Sequence, residues 1–330
     1  MNNDHWMPSL LAGTHPLMIQ WLGRQTARQQ LAQWLDDLMS RLGPEGAQLP
    51  AFALACPVAG VLTADYATRH IGGAWGEALA CPRFYGGATE LPFVDVVSLG
   101  CSVKTTDIAA LIRACSEEFA AFEPQWLRLW VSSHEVATPS PRARIDNRLF
   151  AAPIEAISFS PKPLDYKRIG LEPTSAEKTH QCLVPIYEAI YAAWPSKAEW
   201  LPMATQHDLQ QCAEVGACFM ITVDGTKAGV IAAKPDTIRG IGGWTIQVEA
   251  LNSEFRGRGL APAAQRLLSE NLSVARATLI IGTIDERNPA SWKTAERVGR
   301  MDIGGWWFLP LVGTPGYHLG TPLKRGAGDQ

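Results

Sequence analysis

The sequence predicts an α+β protein of two domains, and three observations lead to that reading. The chain has 330 residues, beyond the length at which one hydrophobic core keeps growing. Some segments repeat apolar residues at helical spacing, while others crowd valine and isoleucine into short runs. A concentration of prolines between His134 and Pro173 separates two stretches with similar successions of such segments, which places the boundary near residue 160. Residues 1–160 are expected to form one α+β domain and residues 161–330 another.

In the first half, Leu31, Trp34, Leu35, Leu38 and Leu42 mark a helix from Thr26 to Leu42, closed by Gly43-Pro44. Extended segments are expected at Ala51–Leu62, around Ala74–Ala80 and at Phe93–Val103. A helix follows from Thr105 to Phe122, and "QWLRLWVSS" reads as a strand, with another inside "LFAAPIEAISF". In the second half, "PTSAEKTHQCLVPIYEAIYAAW" suggests a helix bent at Pro185, and Gln206–Val215 a shorter one. "ACFMITV" and "KAGVIAA" flank Asp224-Gly225, a strong hairpin signal. The strand "GWTIQVEAL", a helix opening near Leu260, the strand "ATLIIGTI", a helix from Pro289 to Val298 and the strand "GWWFLPL" complete the chain. That order defines a mixed sheet with helices packed on it.

The totals exclude several classes of function. A net charge of −3 and a pI near 6.2 do not suit a surface that displaces counterions from nucleic acid. No run of about 18 apolar residues is present to span a bilayer, and Asn2, Asn3, Asp4 and His5 do not form a signal pattern, so a cytoplasmic location without a membrane partner is expected. The seven cysteines (Cys56, Cys81, Cys101, Cys115, Cys182, Cys212 and Cys218) are odd in number and without CxxC pairs, as expected of buried thiols. The dispersed histidines give no metal-site spacing. The rings of the first half, Tyr66, Trp126 and Trp130 among them, are expected mainly to fill its core.

The chemically informative stretch is Arg256-Gly257-Arg258-Gly259-Leu260-Ala261. Pro262 fits only the first turn of a helix, so these residues sit at a helix N-terminus, where backbone N–H groups lack partners and the macrodipole is positive. Such an end binds anions, and two glycines let a ligand approach the backbone. A dinucleotide fingerprint would need a third glycine, and a Walker loop a GxxxxGK followed by Ser or Thr; neither is present here.

These residues resemble the acyl-CoA signature (Arg or Gln)-x-x-Gly-x-(Gly or Ala) of the GNAT superfamily of N-acyltransferases. "NPASWKTAERVGR", Asn288 to Arg300, is similar to that family's late motif, with one helix and one strand between the two blocks. The resemblance covers about residues 165–312. It implies a GNAT-like mixed sheet flanked by helices, with acetyl-CoA or another acyl-CoA as co-substrate and no metal. The backbone amides of Gly257, Arg258, Gly259, Leu260 and Ala261, beside Arg256, would hold the pyrophosphate. Glu249, Ala250 and Leu251 would pair with the pantetheine arm, and Asn288 and Ser291 would face it from the other side. Transfer would go directly to a primary amine of a small molecule, with no cysteine nucleophile. An acyl carrier protein as donor and a non-catalytic acyl-CoA sensor are the alternatives.

Removing the amine proton requires a base. Glu249, which strand alternation places with Gln247 and Leu251, is the first candidate, and Asp285 or Glu286 the second. Where many family members carry a tyrosine acid this chain has Ala295, which leaves water, Tyr187, Tyr191 or Tyr317 for that role. Trp306 or Trp307 is expected near the acceptor. If the first half is a degenerate copy of the same fold, making a tandem GNAT, Lys104-Thr105-Thr106-Asp107 would occupy its phosphate-loop position without the RxxGxG pattern.

Overall fold

The computed structural model describes Asn3–Leu311 except residues 136, 137 and 164. In chain order the helices and strands are α1 (Met7–Ala12), α2 (Pro16–Leu22), α3 (Arg24–Leu42), α4 (Leu49–Ala55), β1 (Arg69–Gly73), β2 (Gly76–Phe84), β3 (Pro92–Leu99), α5 (Ile108–Glu118), β4 (Trp126–Ser132) and β5 (Arg144–Pro153). They continue with α6 (Ile154–Phe159), β6 (Ile169–Pro173), α7 (Ala176–Ala193), α8 (Gln206–Glu214), β7 (Cys218–Val223), β8 (Thr226–Ile238), β9 (Ile241–Leu251), α9 (Ala261–Asn271), β10 (Leu279–Asp285), α10 (Pro289–Arg297) and β11 (Met301–Pro310). Among the described residues no helix is long and apolar enough to cross a membrane.

The chain divides into two compact units. The first holds Met1–Arg148, Arg239–Ile241 and the chain from Ile303 onward; the second holds Leu149–Ile238 and Gly242–Asp302. The division falls inside β5, upstream of the proline-based boundary near residue 160, and two short returns of the chain join the first unit. A linear boundary cannot represent such returns.

In the first unit the sheet runs β1-β2-β3-β4-β11. β1 and β2 form an antiparallel hairpin, β2 pairs antiparallel with β3, and β3 pairs parallel with β4 across the α5 crossover. Its core gathers Tyr66, Phe84, Phe119 and Phe122, and the Tyr66 hydroxyl is satisfied by donating to the Cys56 carbonyl at 2.8 Å. Trp126 and Trp130 also pack within this unit, Trp130 edge-on to Trp306 at 4.8 Å. Trp306 and Trp307 therefore belong to the first unit, where Arg128 lies over the Trp306 ring and Trp307 is buried in the core. Extended structure at Ala51–Leu62 is not found: Pro50 enters the first turn of α4, and the alanine-rich run after it continues as helix.

In the second unit the order is β10-β9-β8-β7-β6, and the end of β5 lies beside β10. Asp224 and Gly225, both at positive φ, turn β7 into its antiparallel neighbour β8. One core lies on the α9 side of this sheet, with Trp244, Ile280, Leu260, Ala263, Ala264 and Leu268. Another joins α7 and α8 to the opposite side through Leu183, Ile186, Leu209, Met220, Val230 and Val248.

The helix α9 is anchored by a buried cation as well as by its apolar stripe. Arg266 donates from Nη1 to the Ile157 carbonyl at 2.6 Å and to the Ser160 carbonyl, and from Nε to Glu270 at 2.9 Å. Those carbonyls lie at the end of α6, so a single side chain bonds two acceptors at the end of one helix while orienting another. Arg266→Met leaves the Ser160 carbonyl without its donor, while the Ile157 carbonyl keeps the Ser160 N–H and hydroxyl; it should lower unfolding stability by about 1–3 kcal/mol, read from the shift in urea midpoint, and a shift near zero would show that water replaces the guanidinium at no cost.

Candidate functional site

The second unit contains a cleft of about 730 Å³. Its origin is the parting of two parallel strands. β9 and β10 pair only at Trp244 with Ile280 and Thr245 with Ile281. Beyond that point Ile246–Leu251 and Gly282–Asp285 form facing walls. The side-chain alternation of β9 slips at the same place. Trp244 and Ile246 pack on the α9 side, Val248 and Ala250 on the α7 side, and Leu251 again on the α9 side. Such a slip is the mark of a bulge, which bends a strand and interrupts its ladder.

At the mouth of the cleft the chain leaves β9 through a short 3-10 turn, Ser253–Phe255, and enters α9. Gly257 and Gly259 stand at φ +71° and +75°, with open space where a side chain would project. The backbone N–H groups of Gly257 to Ala261 have no acceptor among the described residues. No side chain caps α9 either. An uncapped helix N-terminus opening on a cleft is an anion site in electrostatic terms. The corresponding end of α5 in the first unit is different: the Asp107 carboxylate accepts from the Ala110 N–H at 3.0 Å, so a fixed negative charge already fills it. Lys104-Thr105-Thr106-Asp107 is thus a self-capped turn.

Arg256 and Arg258 do not act as a pair. Arg256 borders the cleft but turns its Nε to the Leu251 carbonyl at 2.7 Å and Nη2 towards Ile186, bracing the loop on β9 and α7. Arg258 is exposed and lies over Phe255. On the far wall the Asn288 side chain accepts from the Ser291 N–H at 3.3 Å and so caps α10, and both residues line the cleft.

Glu249 is half-buried on the α9 side of β9, where Oε2 accepts from the Gln265 side chain at 2.7 Å and Oε1 has no partner. Burial pushes its carboxyl up to about 7, against the opposing effects of the Gln265 hydrogen bond and the Arg300 charge. A group titrating there exchanges protons readily near neutral pH. Asp285 also reaches the cleft, but Arg287 grips it at 2.6 Å and in turn lies over Trp200 at 5.2 Å. This carboxylate is thus held by a cation from its own loop, whereas among the described residues Glu249 has no such ion pair. Glu286 is exposed and is not among the residues that line the cleft.

Of the tyrosines, Tyr187 lines the cleft from α7 and is buried, and desolvation pushes its hydroxyl up to about 12, so it keeps its proton. Tyr191 is engaged with the Leu201 carbonyl, and Tyr317 lies outside the described residues. Ala295 is buried against Phe150 and Ile284. None of the seven cysteines lines the cleft, and burial raises the thiols of Cys81, Cys115 and Cys212 to between about 11 and about 12. Among the described residues no cluster of His, Cys, Asp and Glu is arranged to hold a metal. Sequence reasoning missed Gln265, Arg300 and Trp200, whose relevance depends on which elements face the cleft.

No family model matches the chain, and no curated protein matches it. A search of solved structures does find matches. The chain is similar to GNAT acetyltransferases. A tandem GNAT protein from the clavulanic acid biosynthesis pathway aligns with 86% of this chain and 95% of its own, at 14% identity and a TM-score of 0.42. An acetyltransferase of the GNAT family from Colwellia psychrerythraea covers 71% of this chain and 85% of its own, at 10% identity and a TM-score of 0.44. A GCN5-related N-acetyltransferase from Sphaerobacter thermophilus covers 76% and 81%, at 14% identity and a TM-score of 0.43.

The raised carboxyl of Glu249 predicts a stability slope of known sign. Below its ordinary value near 4.5 it is protonated in both states and costs nothing; as pH rises from there through about 7, the unfolded chain releases the proton first and stability is lost. Glu249→Gln keeps a partner for Gln265 and should lose less stability than the wild type between those limits, as read by urea unfolding at a series of pH values. Parallel curves for the two proteins would refute a perturbed carboxyl.

Proposed function

We propose that the second unit is an acyl-CoA-dependent N-acyltransferase, with acetyl-CoA the expected donor, acting on a primary amine of a small molecule. The observation that supports this most is the uncapped N-terminus of α9, opening on a cleft formed by two parting parallel strands. That combination suits a diphosphate at the helix end and an extended arm lying between the strands. Glu249, Ala250 and Leu251 line one wall, where their backbone would pair with such an arm, while Asn288 and Ser291 line the other.

The chemistry follows from the side chains at hand. Glu249 takes the proton of the attacking ammonium group, which frees the nitrogen lone pair for the thioester carbon. Tyr187 donates to the departing thiolate, filling the role left vacant at Ala295. Direct transfer accords with cysteines that all lie away from the cleft, five of them buried, Cys182 half-buried and Cys101 exposed. The first unit repeats the succession of an antiparallel strand pair, a crossover helix and a parallel strand, and we read it as a degenerate copy in a tandem arrangement. Its carboxylate-capped α5 suits a copy that does not bind coenzyme A.

Ala261→Glu tests the cradle. An acidic residue in the first turn suits the helix dipole, so the variant should fold, yet its carboxylate repels a diphosphate. Wild-type protein should gain melting temperature with coenzyme A and the variant should not; equal shifts in both would refute the cradle. Tyr187→Phe, assayed by release of free coenzyme A thiol with a panel of amines, should lower kcat by about 10²-fold with little change in KM for acetyl-CoA. Tight coenzyme A binding by the wild type without thiol release from any amine would instead identify a sensor.

A further inference from the structure

Arg300 occupies the turn after α10 and is buried, with 5% of its surface exposed. Its backbone N–H closes the end of α10 on the Ala295 carbonyl at 2.9 Å, behind Gly299. Its guanidinium crosses to the sheet, where Nη2 donates to the Phe150 carbonyl at 3.2 Å and the Gly282 carbonyl at 3.4 Å. A Cβ on residue 282 would lie 2.9 Å from that nitrogen, so the glycine in β10 is what admits the cation. The Nε atom is buried with no partner, and among the described residues no carboxylate lies within ion-pair distance of the guanidinium.

A buried, unpaired cation is costly to maintain unless a nearby charge offsets it. Glu249 is the carboxyl that does so. Both residues border the cleft near the point where β9 and β10 part, and each retains one buried polar atom without a partner, Nε and Oε1. The groups facing the Glu249 carboxyl are Gln265 from α9 and Arg300 from the turn after α10. Gln265 is neutral, which leaves Arg300 as the one cation acting on it among these groups. Burial lowers the guanidinium to about 10, so it still carries its charge at neutral pH.

We propose that Arg300 is a positioning residue for Glu249, supplying across the floor of the cleft the counter-charge that lets this carboxyl accept a proton from the amine. The proposal rests on the acyltransferase reading and on Glu249 as its base. Arg300 itself touches neither donor nor acceptor; it acts through the carboxyl.

The test compares the wild type with Arg300→Met, Arg300→Gln and Arg300→Lys. The first two remove the charge, the second keeping a donor for the carbonyls, and the third restores a cation. The first readout is the pH dependence of kcat/KM for thiol release. Its acidic limb should move up by about one pH unit or more in the neutral variants and return most of the way in Arg300→Lys. The second readout needs no turnover: the pH-dependent stability difference between each variant and its Glu249→Gln double variant should extend to higher pH once the cation is removed. If Arg300→Met does not fold, Arg300→Gln carries the same comparison. Unchanged limbs and stability differences in the neutral variants would overturn the assignment. Absence of turnover in the wild type would refute the acyltransferase reading alone, since the stability comparison would still decide whether the two residues are coupled.

Discussion

The separation of β9 from β10 after two paired positions is the constraint on which the second unit depends. Parallel strands ordinarily continue their ladder, and abandoning it leaves backbone groups to be satisfied by something else. The slip in side-chain alternation between Ile246 and Val248 bends β9 away and redirects Glu249 to the α9 side. The remainder of the unit holds the two walls apart: α9 is fixed through Arg266 to the end of α6, α10 is tied by Arg300 to β5 and β10, and the loop before α9 is braced by Arg256 on β9 and α7. The cleft is an opening kept by cations at three places, two of them buried.

Those cations divide into different roles according to what they meet. Arg266 finds carbonyls and a carboxylate and is a structural clamp. Arg256 finds the last carbonyl of β9 and stiffens the loop before α9, although its sequence position beside two glycines suggested a direct charge for a ligand. Arg300 finds carbonyls for one nitrogen only, and the electrostatic remainder falls on Glu249. The same residue type thus yields a clamp, a brace and a tuning charge, decided by burial and by the partners within reach.

The helix N-termini of the two units show how a local sequence difference becomes a chemical one. α5 begins at Asp107, which caps it and supplies its own anion. α9 begins at Leu260 after two glycines and a non-capping side chain, leaving its donors exposed to the cleft. Capping stabilises a helix, and forgoing it costs about 1 kcal/mol; α9 is held instead by its apolar stripe and by Arg266.

By itself the sequence determined the α+β class, most of the elements and the helix N-terminus that follows Arg256–Leu260, because these depend on short-range rules: helical and strand periodicity, Asp-Gly at a hairpin, and proline confined to a first helical turn. α1 and α2 were not read, β1 and β6 lay among glycines and prolines that hide a strand, and α4 looked extended because a short apolar run has no period of its own. Glu249 was legible as a candidate, but its special character was not, since a carboxyl is perturbed only by burial and by neighbours from other elements. Only the tertiary structure decided that Gln265 and Arg300 are those neighbours, that Arg287 occupies Asp285, and that the tryptophan pair of β11 belongs to the first unit. Each of these depends on residues far apart in the chain meeting at one place, which no local rule encodes.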